Sequence, residues 1–374
     1  MHMDKRYFES LKVELPRLGF GCMRFPTKDN KIDYEKAREM IHYAMENGLN
    51  YFDTAYNYHG GESERFLGKV LSEFPRESYY LTSKLPIWKV EKEEDAERLF
   101  NEQLEKLNTD YLDFYFLHAM DAERKEIMDK FNLYEFMLNK KKEGKVKHIG
   151  FSFHDTSEVL EEIIDGRNWD VVQLQINYWD WNEINAKSLY DVLVKHNIPC
   201  FVMEPVRGGF LSSFAPQVEK FMKEYSSNSI SSWAIRWVSS LPNVAVVLSG
   251  MSNIDQLKDN ISTLSNFKPL NDEELNIIDK VIEELKNINP VPCTGCRYCM
   301  DCSFGVDIPR VFKIYNNYKK TENKEITRRD YFNFLKEENR ADKCRKCKAC
   351  VSKCPQHIDI PDELQKIHEE LMAL

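Results

Sequence analysis

Between residues 18 and 264, short apolar runs alternate with amphipathic segments, and that alternation leaves few folds open. The apolar runs are Leu18–Met23, Asn50–Asp53, Tyr79–Ser83, Tyr111–Leu117, Val146–Ser152, Val171–Ile176, Pro199–Met203 and Val244–Leu248. Helical patterns lie between them: Tyr34–Asn47, Ser63–Leu71, Ala96–Leu107, Ile127–Lys142, Ser157–Ile164, Ile184–Lys195, Ile230–Ser239 and Ile254–Leu264. Gly48 and Gly144 stand where a helix ends and the next strand begins. Eight strand–helix repeats are the count of a (β/α)8 TIM barrel, so the fold class is α/β. An open doubly wound sheet has the same alternation, but no G-x-G-x-x-G follows an early strand. In a barrel, chemistry belongs at the C-terminal ends of the strands.

Those ends carry polar groups. Asp53 closes the second run and Tyr58 follows it in the loop. Lys84 follows the third run and His118 the fourth. A carboxylate, a phenol, an ammonium and an imidazole are thus expected on one rim. Any one of them alone reads equally as a solvated strand end; the set points to chemistry. Reducing a carbonyl by hydride leaves an alkoxide that needs a proton. A free tyrosine, with a pKa near 10, donates reluctantly at neutrality. Lys84 beside it is expected to lower the Tyr58 pKa, and Asp53 to keep Lys84 charged and oriented. His118 would hydrogen-bond the substrate oxygen. Tyr56 reads as loop packing. His59 reads as a surface histidine or a second proton donor.

The segments Asp53-Thr54-Ala55-x-x-Tyr58, Thr82-Ser83-Lys84 and Leu117-His118 resemble, in order and context, the tetrad of the aldo-keto reductase superfamily. The resemblance extends over roughly residues 13–285. It implies Tyr58 as general acid, with Lys84, Asp53 and His118 as its partners, and NADP(H) or NAD(H) as cofactor. Cofactor contacts carried over are Ser152, Gln173, Met203, Ser249, Gly250, Ser252, Gln256 and Asn260. The backbone and side chain of Arg207-Gly208-Gly209 are suited to a pyrophosphate. Phe153 stands where the family has asparagine, with His154 next to it as a substitute. Met203 stands in place of an aromatic residue, and Gly250 and Gln256 in place of a basic pair that clamps a 2′-phosphate. Glu204 reads as either a solvated carboxylate or a substrate contact. Trp88, Tyr178, Trp179 and Trp181 are candidate pocket walls, or simply pack on helices. Cys22 and Cys200 read as buried core thiols.

The last quarter of the chain is different. Cys293, Cys296, Cys299 and Cys302 form one run, and Cys344, Cys347, Cys350 and Cys354 a second, which ends on Pro355. The second has the C-x2-C-x2-C-x3-C-P spacing of bacterial ferredoxins, whose fourth cysteine ligates the other cluster. Two 4Fe-4S clusters are expected. Structural zinc would favour well-separated pairs of ligands, and disulfides do not suit a chain with no secretory signal. The first run departs from the pattern, with two residues before Cys302 and Ser303 in place of proline. Each run is followed by the same phrase, Val306-Asp307-Ile308-Pro309 and Ile358-Asp359-Ile360-Pro361, a helix-start signal. Helices are expected over Pro309–Lys320, Thr327–Glu338 and Pro361–Met372. Domains of residues 1–288 and 289–374 follow, split near Asn287–Pro292, the second a small, mainly helical module resembling dicluster ferredoxin domains.

From Ser303 to Lys353, 14 Lys and Arg stand against 7 Asp and Glu, so +7, inside a chain of net charge −9. Cations offset the charge of an anionic cluster. No basic stripe interleaved with aromatics suggests nucleic acid, and no apolar run approaches the length of a membrane span. The setting expected is cytoplasmic. The function expected is an NAD(P)H-dependent carbonyl reductase acting on a small-molecule aldehyde or ketone. The alternative is a ferredoxin-linked oxidoreductase whose clusters feed a flavin or a substrate in the barrel, with a ferredoxin or another redox protein as partner.

Overall fold

The structure, a computed structural model, describes residues 3–183, 185–300 and 302–374. They divide into two compact units, Met1–Pro205 with Ser232–Leu270, and Val206–Ser231 with Asn271–Leu374.

The first unit is built on a closed parallel barrel. Its strands are β1 Leu18–Gly21, β2 Tyr51–Asp53, β3 Tyr80–Leu85, β4 Leu112–Met120, β5 Val146–Phe153, β6 Val171–Gln175, β7 Cys200–Met203 and β8 Val244–Ser249. All eight expected strands are present, and β8 pairs with β1 to close the ring. The interior is packed with side chains: Tyr51, Phe114 and Phe201 meet at centroid distances of 5.1–5.6 Å. An antiparallel hairpin, Lys5–Phe8 with Val13–Pro16, was not expected from the sequence. Its Leu11 and Leu15 join the interior cluster, and the Glu14 carbonyl accepts the hydroxyl of Tyr80, the first residue of β3. The hairpin therefore stops the N-terminal end of the barrel. The opposite end is left for the site.

The helices are α1 Tyr34–Glu46, α2 Glu62–Leu71, α3 Glu93–Leu107, α4 Ala122–Lys130, α5 Leu133–Lys142, α6 Ser157–Ile164, α7 Asp180–Glu183, α8 Ala186–Lys195, α9 Pro216–Tyr225, α10 Ile230–Ser240, α11 Ile254–Leu264 and α12 Asp272–Asn287. The single helix expected over 127–142 is two, broken where Asn132 takes φ 51°. Ile184, the expected start of α8, lies outside the described residues.

The second unit contains α12, α13 Ile308–Thr321, α14 Lys324–Arg328 and α15 Ile360–Met372. Asp307 caps α13 by accepting the Arg310 N–H, and Pro309 and Pro361 sit in the first turns of α13 and α15, where a missing N–H costs nothing. The helix expected over Thr327–Glu338 does not form as one piece. It runs as α14, a π-turn over Arg329–Asn333 and a 3₁₀ turn at Glu337–Asn339. Arg340 explains the break: its guanidinium donates to the carbonyls of Tyr331 and Phe332, which a continuing helix would use itself. No described helix is long and apolar enough to cross a membrane.

Gly150 marks a close approach in the barrel wall. A Cβ there would strike the Val171 carbonyl of β6 and crowd the Phe116 ring of β4. Gly150→Ala should therefore destabilise the first unit by about 1–3 kcal/mol, read as a lower Tm by calorimetry. An unchanged Tm would show that the wall can yield.

Candidate active site and iron–sulfur centre

Strand stagger brings the tetrad together. Asp53 of β2 pairs with Thr82 of β3, and Lys84, two residues on, pairs with Phe116 of β4; His118 lies two residues beyond that. Lys84 is 1 % exposed and Asp53 3 %. The Lys84 ammonium donates to Asp53 Oδ1 at 2.6 Å and to the Thr54 carbonyl at 2.9 Å. It lies 5.1 Å from the centre of the Tyr58 ring. Burial alone would strip Lys84 of its proton, but Asp53 and Tyr58 outweigh it and hold the ammonium above its ordinary range. Tyr58 sits at the start of a tight turn made by His59, Gly60 and Gly61, all at positive φ.

Tyr58 corrects one expectation. Burial raises its pKa, and the downward pull of Lys84 offsets that only in part. Tyr58 is therefore protonated at neutral pH, beside the Lys84 ammonium. His118 meets the Tyr58 ring edge-on at 6.0 Å and the Trp88 ring at 5.1 Å. Burial, then Lys84, His154 and Arg124, drive its pKa well below the ordinary value, so the imidazole is neutral. Its Nδ1 is buried without a partner. Just past it, Ala119 takes φ 59° at a register shift in β4. His118, two residues past the interior Phe116, keeps the strand's alternation, and the bulge follows it; a non-glycine residue in this conformation costs about 1–2 kcal/mol. The strained Ala119 N–H donates to Ser152 Oγ at 2.7 Å, leaving the Ser152 hydroxyl hydrogen for another acceptor.

The competing residues are occupied elsewhere. Tyr56 donates its hydroxyl to Glu102 and lies under Lys106. His59 is not a surface histidine: its Nε2 accepts the Phe25 N–H at 3.2 Å, and burial lowers its pKa. Trp88, beside His118, is 40 % exposed on the rim, whereas Trp181 packs on Tyr190 and Trp237. Tyr178 is buried on Trp237.

A nicotinamide cofactor fits the other strand ends unevenly. Gln173 on β6 is 2 % exposed and its Oε1 has no partner, an acceptor suited to a carboxamide N–H. Met203 closes β7, partly exposed. Ser249 Oγ accepts from Asn260 Nδ2, both buried. Gln256 is used locally, accepting the Ser252 N–H. Gly250 lies under the Arg24 side chain, whose guanidinium is 3.8 Å from Glu204. This Arg24–Glu204 pair went unnoticed in the sequence, where Arg24 is merely a residue after an apolar run. Arg207, Gly208 and Gly209 group with the second unit. The Gly208 carbonyl accepts from Arg329, and Gly209, at φ 97°, faces Ile326.

In the second unit the cysteines sort crosswise. Cys293, Cys296 and Cys299 line one cavity together with Cys354. Cys344, Cys347 and Cys350 line another with Cys302, which Cys299 also borders. Among the described residues no three His, Cys, Asp or Glu side chains close on a point as one metal ion requires. Thiols set around a void match a cluster better than a zinc ion. Burial pushes the free Cys299 thiol up to about 11, so metal binding has to drive its deprotonation. The middle cysteines Cys296 and Cys347 are exposed.

Two outcomes are expected. His118 binds fewer protons folded than unfolded just below its ordinary value of 6.5, so its share of stability is present above that pH and is lost as pH falls. His118→Gln should flatten the acid-side slope of Tm against pH; an unchanged slope would place the proton uptake elsewhere. Cys302→Ala should lower iron and acid-labile sulfide by about half. Wild-type content would remove Cys302 from the ligands.

Known proteins resemble the chain in both parts of its length. The sequence pattern of the aldo/keto reductase family matches residues 17–283, and that of a 4Fe-4S dicluster domain matches residues 292–358. The chain is 25 % identical over 303 residues to the uncharacterized oxidoreductase YqkF of Bacillus subtilis, covering 73 % of this chain and 94 % of that one. It is 24 % identical over 311 residues to L-galactose dehydrogenase of Arabidopsis thaliana, covering 76 % and 96 %. The holo form of an aldo-keto reductase from Bacillus halodurans superposes with a TM-score of 0.63 at 26 % identity, covering 75 % of this chain and 96 % of that one. An aldo/keto reductase from Klebsiella pneumoniae, solved with NADP and acetate, superposes at 0.59 with 22 % identity, covering 75 % and 96 %, and shows the fold. The chain belongs to the aldo/keto reductase family and carries a 4Fe-4S dicluster domain on its C-terminal side.

Proposed function

We propose that this oxidoreductase reduces a small-molecule aldehyde or ketone with NADPH or NADH, using Tyr58 as the general acid. The observation that carries the reading is the buried Lys84–Asp53 pair at 2.6 Å beneath a protonated Tyr58. When bound, the dihydronicotinamide supplies the hydride. His118, neutral and edge-on to Tyr58, donates a hydrogen bond to the carbonyl oxygen and fixes its angle. Tyr58 passes its proton to the developing alkoxide, so hydride and proton together complete the alcohol. The Tyr58 phenolate left behind is stabilised by Lys84, which Asp53 and the Thr54 carbonyl keep in place. Gln173 would hold the carboxamide, aided by Ser152. Trp88 would form one wall of the pocket. Gly250 and Gln256 present no charge to a 2′-phosphate, so neither nucleotide is favoured there.

The eight tail cysteines would hold two 4Fe-4S clusters, one on Cys293, Cys296, Cys299 and Cys354, the other on Cys302, Cys344, Cys347 and Cys350. Such clusters supply one-electron exchange. A redox protein is the partner this implies, and the cytoplasm the setting that keeps free thiols reduced. We take residues 1–288 as the reductase domain and 289–374 as the cluster domain.

Tyr58→Phe should lower kcat for NAD(P)H-dependent reduction of an aldehyde panel by roughly 10²–10⁴-fold while nucleotide binding, read by fluorescence quenching, is retained. Activity within a few-fold of wild type would overturn the assignment of Tyr58. Activity that appears only with a reduced ferredoxin would favour the ferredoxin-linked reading instead.

A further inference from the structure

The two cysteine loops repeat the same frame, yet they are charged differently. Counting from the first cysteine of each run, Thr294 matches Arg345, Gly295 matches Lys346, and Arg297 matches Lys348. The backbone is the same at these points: Gly295 has φ 72° and Lys346 53°, Arg297 64° and Lys348 59°. The first loop meets the left-handed turn at its second position with glycine, which adopts it freely. The second loop meets it with lysine, at a cost of about 1–2 kcal/mol. A cation is therefore kept where the backbone would favour glycine.

The cavity ringed by Cys302, Cys344, Cys347 and Cys350 is lined by Arg345, Lys348 and Lys353, and no Asp or Glu is among its lining residues. These three cations are exposed and form no ion pair with a described carboxylate. Lys346 by contrast is drawn towards Asp362 and Gln365. Phe304, 44 % exposed, stands on the same rim. The other cavity has one cation on its lining, Arg297, which faces Asp307 at 3.9 Å. If the cations served only to offset cluster charge, both loops would need them equally. An exposed apolar side chain and three unpaired cations lining one cavity, with an exposed Cys347, are instead the anatomy of a transient protein interface.

We propose that this face, Arg345, Lys348 and Lys353 around Phe304, docks an acidic one-electron carrier protein. The proposal rests on the reading that Cys302, Cys344, Cys347 and Cys350 hold a cluster. One electron leaves the reduced carrier and enters that cluster; the carrier is left oxidised by one electron, and no bond or proton moves. A carrier is favoured over a polynucleotide because the cations line the same cavity as four cysteines and the chain as a whole carries net charge −9.

The test uses the iron-loaded full chain. Its own iron and sulfide content is measured first, so failure of the cluster reading shows separately. Binding of a purified acidic ferredoxin is then titrated calorimetrically at low and high salt. The expected result is binding that weakens with salt and falls about tenfold or more in Arg345→Glu/Lys348→Glu/Lys353→Glu. A variant with the same charge change on exposed barrel lysines, Lys5→Glu/Lys28→Glu/Lys31→Glu, should bind as wild type does. Reduction by a neutral photoreduced deazaflavin should be equal in all three proteins. If the reversed variant fails to load iron, the Arg345→Gln/Lys348→Gln/Lys353→Gln variant carries the same comparison. Equal ferredoxin binding by wild type and the tail variant overturns the proposal. So does tighter binding of a short single-stranded DNA than of ferredoxin at this face.

Discussion

An ammonium almost fully removed from water is tolerable only with a fixed partner, and in this barrel the partner is one carboxylate oxygen 2.6 Å away. Much of the arrangement at this rim follows from that pair. Asp53 sits at the end of β2 and Lys84 near the end of β3, so the pair exists only when the parallel ladder is in register. Its charge then acts on what surrounds it. It keeps a cation under Tyr58, and it helps hold His118 neutral. Asp53 Oδ2 has no partner, so the pair is fully satisfied on one side only. Such a pair contributes little net stability, because desolvation offsets most of its attraction. Its value lies in a charge that is present before substrate arrives.

The second unit depends on a different constraint. Val291, Val306, Ile308, Val311, Phe312 and Tyr315 anchor its apolar core, and Cys293, Cys299, Cys302, Cys344, Cys350 and Cys354 pack against it. The cysteine loops themselves form neither helix nor strand, and they carry several residues at positive φ. Short backbone turns, such as Met300 N–H to the Arg297 carbonyl and Val351 N–H to the Lys348 carbonyl, shape them, and metal–thiolate bonds would tie the turns together. Cluster binding and folding of these loops are thus expected to be one event. The crosswise sorting of Cys302 and Cys354 makes the two loops interdependent, since each supplies the fourth thiolate to the other's cavity.

The eight strands were legible because each is an apolar run bounded by helix signals. The tetrad was legible because strand ends are fixed points in a barrel. What escaped notice depended on contacts across distance. Nothing within 127–142 announces that Asn132 will turn left-handed, since asparagine is also tolerated within a helix. The break after Arg328 is made by Arg340, which competes for two carbonyls from further along the chain. The sign of the Tyr58 shift was misread because proximity to Lys84 shows in the sequence, whereas the extent of burial does not. The Ala119 bulge, just past His118, has no sequence mark at all.

Val206–Ser231, which follows β7, groups with the C-terminal tail in the second unit. Arg207, Gly208 and Gly209 all take positive φ, and that conformation is held by residues far along the chain. Arg329 donates to the Gly208 carbonyl, Asn323 to Ser213 Oγ, and the Ala215 N–H to the Lys320 carbonyl. Ile326 comes close to Gly209 only because glycine has no Cβ in its way. A loop with this many glycines loses more entropy on ordering than most, so it needs such contacts to hold one shape. Residues 320–329 supply them. The segment therefore scaffolds the loop that carries Arg207, Gly208 and Gly209.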